Sequence, residues 1–350
     1  MKEARLNIAF NTLNLRKFKK GFFSFLIISF CALLAIFLYN YSGKSFFVLK
    51  QVKPLFLLLA VIASVLDMLL GGWRNHFLLK YFYVTISPWI CFKANLVNVF
   101  MSAVTPSQSG GGPGFYYFLY KHGVKLADAV VVSVINWIST IVFFLISASI
   151  SFYFLNDHIP NGFLVVMMRY SFVIFSGILV AISVIMIRPG IVEKVISKLF
   201  SLGVYVFWKN MKSIEPWKSR VLNLMKEYRI GLINVMKTNP GLFIRSIILT
   251  ILLYGVKYML AYLLLLGIGA FVPFWLFMSI QASIQFLLYF APSQGGSGIA
   301  ELSIAGLLSG YMANEFLPIF TLAHRTFLLF VPAMIGAFFA IRQLKKDVVN

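Results

Sequence analysis

Two stretches carry most of the residues able to do chemistry. Pro106-Ser107-Gln108-Ser109-Gly110-Gly111-Gly112-Pro113-Gly114 and Pro292-Ser293-Gln294-Gly295-Gly296-Ser297-Gly298 both open on Pro-Ser-Gln and run into glycines, 186 residues apart. A glycine-rich turn that opens a helix presents free backbone N–H groups, which suit a phosphate or carboxylate. The candidate substrate-binding residues are therefore Pro106, Ser107, Gln108, Gly110, Gly111 and Gly112 in the first turn. In the second they are Pro292, Ser293, Gln294, Gly295, Gly296 and Gly298. Glu301 follows three residues beyond Gly298. Its carboxylate is placed either to cap backbone N–H groups at a helix start or to carry a proton or cation. His324 and Arg325 fall well inside an apolar stretch. A guanidinium at that depth pairs with Glu301 or holds a lipid phosphate with its planar fork.

Other readings of the same residues carry less. Glycines also let helices pack closely, but two turns with one tripeptide at matching places point to a site. Gly295-Gly296-Ser297-Gly298 contains Gly-x-Ser-Gly with His324 downstream, which resembles the serine–histidine pair of intramembrane rhomboid proteases. Glycine-rich turns generate that tetrapeptide readily, and His324 lacks a small-residue helical context. A membrane glycosyltransferase would need acids in large outer loops, and the outer loops here are short. No catalytic residue, metal ligand or cofactor is assigned, and the protein is expected not to be an enzyme. Cys31 and Cys91 show no metal spacing and are expected to be small buried hydrophobes. Arg74 and His76 beside Trp73 read as an interfacial anchor. Asp67, Lys93, Asp128, Arg169, Arg245 and Lys257 lie in or near apolar stretches and receive no role.

The elements that position these residues belong to a membrane. Of 350 residues 60% are apolar and 12% charged, half the usual charged share, and the mean hydropathy is +0.88. These values exclude a cytosolic enzyme, a disordered chain and a secreted disulfide scaffold. The net charge of +21 is spread between apolar spans, which fits inside-positive topology and anionic headgroups and not nucleic acid. Six full transmembrane helices are expected: Phe22–Tyr39, Pro54 to about Gly72, Leu126–Leu155, Phe163–Ile187, Phe243–Gly267 and Phe316–Ile341. The segment Arg188–Lys237 holds ten Lys and Arg against three acids and is expected in the cytoplasm. It also has amphipathic spacing, as of a helix on the inner leaflet or a hairpin extending its neighbours. Both termini are expected in the cytoplasm, with Asn156–Gly162 outside. Asn40–Lys53 is placed outside despite its three lysines, because two long basic segments outweigh one short loop.

Pro88–Thr105 and Pro273–Ala291 are apolar but end in the two glycine turns. A short helix is expected after each, from Phe115 and from Ile299. The chain therefore reads as a single integral membrane domain over 1–350 with a first repeat at 54–155, a basic cytoplasmic connection at 188–240 and a second repeat at 241–342. Backbone without helical hydrogen bonds survives in a bilayer only against protein or a water-filled cavity. The span count sends the first broken segment in from the cytoplasm and the second from outside. The expected fold is an all-α polytopic membrane protein: six transmembrane helices plus two re-entrant broken-helix hairpins in an inverted repeat, the geometry of alternating-access carriers.

At Thr105-Pro106, Gly110–Gly114, Ala291–Gly298, Glu301 and Arg325 the chain resembles the lysylphosphatidylglycerol synthase transmembrane-region, or flippase-like domain, family, in layout over nearly its whole length. The resemblance implies a lipid-flipping membrane module, fused in some members to a soluble aminoacyl-lipid synthase that is expected to be absent here. It also implies an acid beside the first glycine cluster, where this chain has Phe115. The leading expectation is translocation of an anionic phospholipid or lipid-linked saccharide between leaflets of the cell inner (plasma) membrane. The alternative is a non-transporting membrane partner of an envelope lipid- or glycan-modifying enzyme. Anionic membrane lipids and envelope-biosynthesis enzymes are the expected partners.

Overall fold

The computed structural model describes residues 50–83, 85–155, 230–289 and 291–349, with isolated helical positions within 23–38, 166–181 and 223–227. The spans expected over 22–39 and 163–187, and the basic connection, lie outside the described residues apart from those positions. Helix α1 (Pro54–Leu79) is followed by α2 (Pro88–Val104), a 3-10 turn at Pro106–Gln108, α3 (Gly111–Tyr120) and α4 (Leu126–Leu155). The second half has the same order: α5 (Gly241–Gly267), α6 (Phe274–Tyr289), a 3-10 turn at Gln294–Gly296 and α7 (Ile299–Leu308). The chain ends in α8 (Leu317–Arg325), a π turn at Thr326–Phe330 and α9 (Val331–Val349).

Local chemistry sets these boundaries. Proline opens α1 and α2, where its missing N–H costs nothing, and the Ser87 hydroxyl caps α2 by accepting from the Trp89 N–H at 3.2 Å. Among the described residues four helices are long and apolar enough to cross a membrane: Pro54–Leu79, Leu126–Ser151, Gly241–Gly267 and Leu317–Asp347. Helices α2 and α6 have 17 and 16 residues, short of the ~20 needed for a full crossing. Large apolar side chains such as Leu58, Leu69, Ile244 and Leu252 face outward, the inside-out pattern of a multi-pass membrane protein. Three boundaries differ from expectation, one being the end of the last span, which runs on past Ile341 to Val349. Helix α1 runs on to Leu79 past Gly71 and Gly72, because both glycines are covered by Asn95 and Phe92 of α2. Helix α3 starts at Gly111, ahead of Phe115. Cys91 is buried as expected, but Cys31 is exposed.

The two halves each build an apolar core. One gathers Leu78, Leu79, Leu119 and Ile135 from α1, α3 and α4, the other Leu260, Leu264, Phe277 and Phe320 from α5, α6 and α8. Helices α1 and α5, counterparts in the two halves, run antiparallel. The Lys53 N–H donates to the Gly267 carbonyl at 2.8 Å, and at the other end Arg74 Nη1 donates to Thr250 Oγ1 at 3.0 Å. Each broken helix packs on the long helix ending the other half, α2 on α9 and α6 on α4. At the first of these contacts a Cβ on Gly336 would meet the Leu96 carbonyl group, and backbone cannot step aside as a side chain can. Gly336→Ala is expected to destabilise the protein by about 1–3 kcal/mol, the usual cost of overpacking. Thermal unfolding in detergent checks this, and an unchanged Tm would contradict the close approach of α9 to α2.

Candidate functional site

The two Pro-Ser-Gln turns meet. The Ser107 N–H donates to the Pro292 carbonyl at 3.1 Å, and Gln108 Nε2 donates to the Leu288 carbonyl at 3.0 Å. The Leu288 carbonyl in the last turn of α6, which also accepts from the Ala291 N–H at 3.3 Å, thereby gains a partner from the first turn. In that turn Thr105 Oγ1 donates to the Met101 carbonyl at 2.6 Å and accepts from the Gly110 N–H at 2.8 Å. Ser107 and Gln108 have left-handed backbone, with φ of 50° and 55°, which costs non-glycine residues energy and recurs at functional sites. The second turn has its first positive-φ residues two positions later, on glycine: Gly295, Gly296 and Gly298 have φ of 56°, 68° and 84°. Gly111 serves close approach, since a Cβ would collide with the Ser102 and Asn98 side chains.

Glu301 and Arg325 come together behind the second turn. The Gly298 N–H donates to Glu301 Oε2 at 2.6 Å, so the carboxylate does cap α7. Its other oxygen accepts from Arg325 Nε at 2.9 Å. Arg325 Nη2 also donates to the Gly295 carbonyl at 3.1 Å and to Ser297 Oγ at 3.2 Å. Glu301 and Arg325 are 0% and 3% exposed, so the guanidinium ties turn, cap and last span into one unit. His324 Nε2 lies 3.3 Å from Gln281 Oε1. The helix then widens into the π turn, and Ser64 Oγ donates to the Phe327 carbonyl there at 3.3 Å; such widening is frequent at functional sites.

A polar cavity opens between α1, α2, α5 and the turns. Its first lobe, about 310 Å³, is lined by Asp67, Arg74, Lys257, His324 and Arg325 together with Gln108 and Gly295. A second lobe, about 530 Å³, shares Arg74, Asn95, Asn98, Ser102, Gln108 and Tyr254 with the first and adds Ser107, Gly112, Asn136 and Trp137. Of the expected site residues, Ser107, Gln108, Gly112, Gly295, His324 and Arg325 line the cavity, and Glu301 stands behind Arg325. Pro106, Gly110, Gly111, Pro292, Ser293, Gln294, Gly296 and Gly298 shape the turns without lining either lobe. Buried Ser293 Oγ and Gln294 Oε1 have no hydrogen-bond partner among the described residues. No group of three or more His, Cys, Asp or Glu among the described residues is placed to hold a metal.

Three charged residues given no site role from the sequence, Arg74, Lys257 and Asp67, are part of this cavity, as are Asn95, Asn98, Ser102, Asn136, Trp137 and Tyr254. Arg74 lies within α1, which continues to Leu79, and lines both lobes of the cavity. Lys257 and Asp67 form an ion pair at 2.8 Å across α5 and α1. Glu301 and Arg325 also pair, whereas Arg74 has no carboxylate within 4 Å among the described residues, and its buried Nε has no hydrogen-bond partner there. The paired charges cancel, so the lining carries one uncompensated positive charge. The available signal was the presence of ionisable residues inside apolar helices.

Two comparisons with known proteins lead to membrane proteins. A protein of Archaeoglobus fulgidus named "UPF0104 membrane protein" is 22% identical over 293 residues, 83% of this chain and 88% of that one. The family model for the lysylphosphatidylglycerol synthase TM region matches residues 21–336, covering both glycine turns, Glu301 and Arg325. The chain belongs to that lysylphosphatidylglycerol synthase TM region family.

Proposed function

We propose that this protein translocates an anionic lipid, a phospholipid or lipid-linked saccharide, between leaflets of the cell inner membrane, without catalysing a covalent reaction. The observation that carries this is the cavity at the meeting of the two turns, whose ion pairs leave Arg74 uncompensated. A lone cation in a membrane interior is costly unless an anion or water answers it, and a lipid phosphate supplies that anion. The acyl or prenyl chains stay in the bilayer while the headgroup passes along the polar lobes. The family name ties this membrane region to a lipid-synthesising enzyme, which supports a lipid cargo. The antiparallel α1 and α5, and the exchanged packing of α2 on α9 and α6 on α4, support six spans with two broken hairpins in inverted arrangement. Both termini and the basic connection are then cytoplasmic.

Two experiments test this reading. Single cysteines at the exposed loop positions Thr85, ahead of α2, and Phe271, ahead of α6, in a background lacking Cys31 and Cys91, are expected to react with membrane-impermeant thiol reagents from opposite faces. Labelling of both from the same face alone contradicts the inversion. In proteoliposomes the protein is expected to speed exposure of a fluorescent anionic lipid to an outside quencher about tenfold or more over protein-free vesicles, a change of at least about 1.4 kcal/mol in the barrier. No acceleration contradicts transport and favours the non-transporting partner.

A further inference from the structure

The two lobes differ in chemistry. The first is ionic. In the second, Arg74 is the one charged lining residue among those described, and apart from Gly112 and Val134 the remainder is amide, hydroxyl and aromatic. Its volume of about 530 Å³ lies within the ~300–1,000 Å³ of small-molecule sites. Asn136 Nδ2 donates to Asn75 Oδ1 at 2.7 Å, and Asn75 Nδ2 donates to Asn95 Oδ1 at 3.3 Å. That chain of amides leaves Asn136 Oδ1, on a residue 8% exposed, buried with no donor among the described residues. Phe115 stands in this lobe at the place matching Glu301 in the other half.

We infer that the second lobe is a subsite for a neutral polyhydroxyl headgroup, so that the cargo is a glycosylated lipid phosphate with its phosphate at Arg74 and its sugar at Asn136. The inference rests on the transport reading only in taking the ligand to be a lipid. A phosphate is an acceptor and cannot answer the free carbonyl of Asn136. An ammonium is a donor, but it would enter a lobe whose one charged lining residue is Arg74 and whose described lining holds no acid, Phe115 standing where the other half has Glu301. A sugar hydroxyl both donates and accepts, as the amides do. The half-exposed Trp137 (39%) gives the apolar face of a sugar ring a flat surface.

The test compares three phosphodiesters with one chain length, decyl methyl phosphate, decyl glucosyl phosphate and decyl ethanolamine phosphate, binding to the full chain in zwitterionic nanodiscs. The glucosyl probe is expected to bind about tenfold tighter than the methyl probe, since a site built for hydroxyls loses affinity when they are missing. The ethanolamine probe is expected to bind no tighter than the methyl one. Asn136→Leu and, separately, Trp137→Leu are expected to collapse the glucosyl-to-methyl ratio towards unity. Equal binding of the methyl and glucosyl probes by the wild-type protein, or preference for the ethanolamine probe, overturns the subsite whether or not the variants fold. Sugar-selective binding without translocation would overturn transport and leave the subsite standing. Translocation without sugar preference would do the reverse.

Discussion

Glu301→Gln is expected to lower stability by about 3–5 kcal/mol, the cost of orphaning one member of a buried ion pair. Both carboxylate oxygens are in use, one by Arg325 Nε and the other by the Gly298 N–H. An amide turns an NH₂ group towards one of those two donors, and Arg325 is left charged at 3% exposure. The damage spreads to the turn, because the same guanidinium holds the Gly295 carbonyl and Ser297. A large fall in Tm is the expected reading, and an unchanged Tm would contradict the pairing. Replacing both members, Glu301→Leu with Arg325→Met, is expected to recover much of the lost stability, as apolar replacements of buried pairs commonly do. Translocation per monodisperse molecule is expected to stay low, because Arg325 also lines the ionic lobe. Wild-type rates in the double variant would reduce the pair to scaffold.

Arg74→Gln is expected to behave in the opposite way. Its guanidinium has one side-chain hydrogen bond, to Thr250, and no carboxylate partner among the described residues. Losing a hydrogen bond to a charged group costs about 1.5–3 kcal/mol, which in a barrier is about a tenfold to hundredfold slower translocation. Removal of an uncompensated cation relieves a desolvation cost, so Tm is expected to hold or rise. Arg74→Lys is expected to retain part of the rate, since an ammonium keeps the charge without the planar fork. Unchanged translocation in Arg74→Gln would remove Arg74 from the pathway.

The contrast between Arg325 and Arg74 also separates what was legible in the sequence from what was not. The two Pro-Ser-Gln turns, offset by 186 residues, stood out because two turns with unusual backbone demands reuse one tripeptide, and α4 begins and ends at the residues its apolar run predicts. Glu301 was legible as a cap, since an acid three residues after a glycine turn suits a helix start. Arg74 was hidden by Gly71-Gly72-Trp73, which looks like a helix end and an interfacial aromatic until α2 is known to cover both glycines. Asn95, Asn98 and Ser102 have helical spacing on α2, but the amide chain Asn136–Asn75–Asn95 joins residues from three helices, which one sequence does not register. The π turn after Arg325 likewise accompanies a contact from Ser64, 263 residues away.

The most direct measurement is headgroup selectivity of translocation. Proteoliposomes would carry fluorescent lipids with identical chains and either an anionic phosphodiester or a zwitterionic headgroup, with rates normalised to monodisperse protein. The wild-type protein is expected to move the anionic lipid at least about tenfold faster, and Arg74→Gln to erase the difference, as the loss of one charged contact implies. Equal rates for both headgroups in the wild-type protein, or no movement of either, would contradict a positively charged cavity that conducts anionic lipid headgroups.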